Sequence, residues 1–94
     1  RDLARVKAAY LLVDSASSDD LRSRLGGLDV EGSHWRGSAR EIIALAYYRE
    51  ARYQDADKLV SQIIADPQAP AGVRQRATLL ASVLQPLVGS GAKE

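Results

Sequence analysis

Leu3, Val6, Tyr10 and Val13 recur at intervals of three and four, with Arg5 and Lys7 between them. That period predicts one buried face on a helix over about 3–13. The polar run 14–18 ends it, because short polar side chains compete for local backbone hydrogen bonds. Ser18 is then placed to cap a second, short helix in which Leu21 and Leu25 face inward, and Gly26 with Gly27 can supply a left-handed stop. Residues 29–33 read as a loop.

Two starts are open for the third helix. Ser33 can cap a helix that begins at His34 and Trp35, whereas Ser38 with Glu41 three residues on forms a capping-box pattern that begins it at Ala39. The earlier start lets Trp35 pack its ring against a neighbouring hairpin, and Gly37 in a first turn costs only about 1 kcal/mol relative to Ala. Either way the helix reaches about 49–51. The fourth has the cleanest period: Ala56, Leu59, Val60, Ile63 and Ile64 at i, i+3, i+4, i+7 and i+8, with Asp55, Asp57, Lys58 and Gln62 outside. Pro67 ends it, and Pro70 suits the first turn of a fifth helix whose apolar face is Val73, Ala77, Leu80, Ala81 and Leu84. Pro86 is expected to stop that helix. The pattern predicts an all-α domain of about five helices over 1–88 and a flexible tail over 89–94, with no strand.

The third and fourth helices, joined by a very short turn, read as one tetratricopeptide-type hairpin. Helix A carries Ile43, Ala44 and Tyr47, and helix B carries Tyr53, Ala56, Val60 and Ile63. Ala44 and Ala56, twelve apart, put a small side chain from each helix where the axes cross most closely. The expected architecture is a right-handed array of such hairpins. Arrays of this kind bind other proteins through an inner wall formed by helix A. Counting from Ala44, that wall comprises Ser38, Glu41, Leu45, Tyr48 and Arg49, an apolar pair flanked by charge and the candidate protein-binding strip. Burial of Leu45 and Tyr48 by helix five or the first hairpin is an equal alternative. Glu41 and Leu45 stand where a clamp for a free carboxyl terminus needs basic and amide side chains, which argues against that mode.

Composition narrows the chemistry. Ninety-four residues suffice for one modest core. Thirteen basic and twelve acidic side chains give a net charge of +1 and alternate in sign along the helices. This is a solvated helix surface, without the basic footprint of a nucleic-acid or membrane binder. Cys is absent, which excludes disulfides and thiolate metal sites. His34 is the sole His, and its nearest carboxylates, Asp29 and Glu31, lie in the 29–33 loop; no metal or cofactor is expected. Acid pairs such as Asp19 with Asp20, or Asp55 with Asp57, diverge around a helix, and no nucleophile motif is present. Trp35, Arg36 and Arg40 read as packing and ion-pair residues around Glu41 and nearby acids. With no Met and a first residue Arg1, the chain is expected to be a piece of a longer protein.

Four segments carry a resemblance: KAAYLLVD (7–14), HWRGSAREIIALAYY (34–48), ARYQDADKLV (51–60) and DPQAPAGVRQRA (66–77). In these, which run from helix one into helix five, the chain resembles the tetratricopeptide-like domain of the ancillary SecYEG translocon subunit family, in its alphaproteobacterial form. That family commonly has Pro where His34 stands and Gly-Asp where Ala51 and Arg52 stand. The resemblance implies a carboxy-terminal fragment of a protein with one amino-terminal membrane helix and a periplasmic repeat domain. It further implies a non-enzymatic scaffold on the periplasmic side of the inner membrane, contacting translocon or periplasmic chaperone components. A homodimer through the helix-one seam is a further option. The rival classes are a nucleic-acid-binding helical domain, disfavoured by the neutral charge, and a small α-helical enzyme, disfavoured by the lack of a convergent polar triad.

Overall fold

The computed structural model describes the backbone of residues 1–92 and the side chains as far as Val88. The chain is an array of helical hairpins with no strand among the described residues: α1 (Asp2–Leu12), α2 (Ser18–Arg24), α3 (Arg36–Arg49), α4 (Tyr53–Ala65) and α5 (Ala71–Ala92). Its thinnest dimension is 18 Å, about two helix diameters. Short connections make α3, α4 and α5 successive neighbours, while α1 and α2 also pack on α3.

One core runs through all five helices. It joins Val6 and Ala9 of α1, Leu21 of α2, the Ile42 to Tyr47 region of α3, Ala56, Val60 and Ile63 of α4, and Val73, Ala77 and Leu84 of α5. Ala44 and Ala56 are both fully buried, as their small size at a helix pair requires. The buried stripes are narrower than the periodicity suggested. In α4, Ile64 lies on the flank and is exposed, and Leu59 is half-buried. In α1, Leu3 is exposed, and the face turned inward is that of Val6 and Ala9.

Three helix boundaries correct the sequence reading. Ser17 caps α2, its Oγ accepting from the Asp20 amide at 3.0 Å, because Ser18 turns to Glu50. The α3 start falls between the two alternatives: Ser33 Oγ accepts from the Trp35 amide in a turn, and the helix opens at Arg36. No capping box forms at Ser38 and Glu41, which lie inside the helix. Finally, α5 continues through Pro86, so 89–92 prolong the helix where a tail was expected; 93–94 lie outside the described residues. Proline denies the Ser82 carbonyl its i+4 donor. Both Ser82 and Pro86 are exposed to solvent.

The α3–α4 turn carries local strain. Arg52 N–H donates to the Tyr47 carbonyl and Ala51 N–H to that of Tyr48, a Schellman stop. Its left-handed position is filled by Ala51, at φ +63°. A Cβ there costs about 1–2 kcal/mol, and Gly loses about 0.5–1 kcal/mol in chain entropy. Ala51→Gly is therefore expected to raise the urea midpoint, stabilising by about 0.5–1 kcal/mol. A lower midpoint would show that the surrounding turn already absorbs the strain.

Candidate functional site

The α3 strip divides into an interior half and an open half. Glu41 is buried, and its two oxygens take three donors: Tyr10 Oη at 2.7 Å, Arg76 Nε at 2.6 Å and Arg76 Nη2 at 3.0 Å. α1 and α5 are thus fastened to α3 through one carboxylate. Burial, then the Glu41 carboxylate, push the Tyr10 phenol above its ordinary value, and Glu41 raises Arg76, so both keep their protons at neutral pH. Ser38 and Leu45 are half-buried. Tyr48 is 37% exposed and Arg49 is also exposed. The Tyr48 ring leans on Tyr53 with centroids 5.9 Å apart, and the Arg49 guanidinium donates to the Ala16 carbonyl. Of the five strip residues, Tyr48 and Arg49 are the exposed ones.

A second polar cluster lies under the α4–α5 turn. Asp66, buried at the end of α4, accepts a bidentate pair from Arg36, Nε at 2.6 Å and Nη2 at 2.9 Å, and the Gln68 amide at 2.9 Å. Arg36 first, then the Gln68 N–H, hold the Asp66 carboxyl below the usual range. Arg74 donates to the Asp66 carbonyl. Arg36 and Arg40 therefore pair with Asp66 and Glu31, and it is Arg76 that meets Glu41.

A third cluster clamps α2 at both ends. The Glu50 carboxylate accepts from the Ser18 amide at 2.8 Å and the Ser18 hydroxyl at 2.7 Å, which lowers its pKa, the amide contributing most. At the opposite end Arg5 donates to the carbonyls of Arg24 and Gly26. Each charge is opposite in sign to the end of the helix dipole that it touches. Nearby, the Arg52 guanidinium lies 4.4 Å above the Tyr47 ring, whose hydroxyl accepts from Arg22.

Among the described residues, no three of His, Asp and Glu converge as metal ligands, and no helix is long and apolar enough to cross a membrane. His34 is exposed and packs its ring edge-on to half-buried Trp35. The carboxylates with the most partners, Glu41, Glu50 and Asp66, are each engaged by donors from another element, so their chemistry here is to hold helices together. Comparison with family models, with curated proteins and with solved structures finds no match to this chain.

Proposed function

We propose that the chain is a non-enzymatic protein-interaction scaffold of tetratricopeptide type, the periplasmic domain of a membrane-anchored, translocon-associated envelope protein. The observation that carries the interaction reading is Tyr48: a large aromatic left partly open on α3, beside Leu45 and Arg49, in a chain whose other large polar clusters are internally engaged. Aromatic and Arg side chains dominate interface energies, and Tyr48 with Arg49 supplies one of each. The envelope assignment draws its support from the sequence resemblance. The left-handed backbone at Ala51 fits it, since Gly, common there in the resembled family, takes that conformation without strain.

Replacing Tyr48 and Arg49 together by Ala is expected to weaken capture of purified translocon or periplasmic chaperone components by about tenfold or more, with helical circular dichroism retained. Undiminished capture by a folded variant would move the binding surface off α3. Failure of the unaltered protein to capture any of these components would set aside the envelope assignment and leave the fold untouched.

A further inference from the structure

A cleft between the 29–33 loop, α3 and the α4–α5 turn is built on a guanidinium that the fold buries without saturating. The Arg40 side chain is 7% exposed, yet among the described residues its hydrogen bond is a single one, Nη2 to Glu31 Oε2 at 3.3 Å. Its other charge partner, Asp66 Oδ2, stands 3.8 Å from Nη1, beyond hydrogen-bond reach. Asp66 is engaged instead by Arg36 and the Gln68 amide. A guanidinium has five N–H donors, and Arg40 lines a cleft of about 360 Å³ together with Glu31, Gln62, Ala65, Asp66 and Pro67.

The cleft is lined by one guanidinium, Arg40, and two carboxylates, Asp66 and Glu31, with Arg36 and Arg74 bound to Asp66 from outside it. The two acids differ in kind. Asp66 is interior and neutralised by its bidentate Arg36, whereas Glu31 is 85% exposed and reaches in from the surface with one long hydrogen bond. Pairs with so exposed a partner contribute little, since water solvates the carboxylate almost as well. A second carboxylate can displace Glu31 at small cost and meet a weakly hydrated, preoriented fork suited to two parallel hydrogen bonds.

We propose that this cleft is a carboxylate-binding site, with Arg40 as the buried anchor and Glu31 as a tethered internal occupant that an incoming carboxylate of a peptide replaces. The inference does not rest on the reading of Leu45, Tyr48 and Arg49.

The test follows the Arg40 Nε–Hε resonance during titration with three probes. The first is a blocked tripeptide with one glutamate side chain, the second an amine-blocked tripeptide whose only carboxylate is its free terminus, and the third the glutamine analogue of the first. Saturable shifts with either acid and none with the glutamine analogue are expected, and which acid binds more tightly identifies the source. Glu31→Gln, a change at the surface, should tighten binding by up to about fivefold. In Arg40→Gln, which lacks the reporter and is followed through the backbone amides of Glu31 and Gln62, binding should be abolished. Equal response to the glutamine analogue, or no saturable shift in Glu31→Gln at millimolar acid, would overturn the site; unchanged affinity in that variant would overturn the role of Glu31.

Discussion

Replacing Glu41 by Ala lowers the thermal midpoint by roughly 10–20 °C, the expected result of losing about 2–3 kcal/mol in a domain of this size. The figure follows from what is left behind. Charge-assisted hydrogen bonds are among the stronger ones, and Glu41 accepts three of them on a side chain that is 6% exposed. Its removal leaves the half-buried Tyr10 hydroxyl without an acceptor and opens a void beneath α1. Breaking a fully buried pair costs more, about 3–5 kcal/mol, but Arg76 is 55% exposed and can return to water. Glu41→Gln keeps the shape and one acceptor oxygen, so its midpoint should fall between the two. A melt of Glu41→Ala that coincides with the unaltered protein would mean that desolvation of the carboxylate cancels everything its donors contribute.

Ala56→Leu should cost about 1–3 kcal/mol and lower the urea midpoint with little change in slope. Ala56 is completely buried in α4, which packs on both α3 and α5, so a larger side chain has no open flank to turn into. The neighbouring helices must separate or the new side chain must leave its preferred rotamer. A midpoint equal to that of the unaltered protein would show slack around Ala56 that its burial does not suggest.

What the sequence reveals and what it hides divide along sequence distance. α4 and its stop at Pro67 were legible because a period of three and four residues and the absence of a backbone donor are local properties. The full burial of Ala44 and Ala56 was likewise foreseeable from size and spacing. Pro86 misled for the opposite reason: its effect depends on whether the carbonyl it orphans faces water, which only the packed array decides. Ser18 was misassigned as a cap because the partner that diverts it, Glu50, lies thirty-two residues away. Glu41 shows the same limit. Its burial depends on Tyr10 and Arg76, thirty-one and thirty-five residues distant, and no local pattern pairs them. Arg40 gave no sequence signal of an unsaturated guanidinium, since being unsaturated is a property of its surroundings.

The clamp on α2 has a consequence for the order in which the molecule assembles and comes apart. Seven residues are too few to sustain a helix alone, for nucleation is costly and isolated helices shorter than about 12–15 residues are marginal in water. The charges that complete its ends come from outside it, Arg5 from α1 and Glu50 from the end of α3. α2 therefore condenses only after α3 is in place and α1 has returned across it. In native-state hydrogen exchange α1 and α2 should behave as one cooperative opening unit, with the α2 amides reporting each release of α1, while α3, α4 and α5 stay protected until the chain unfolds as a whole.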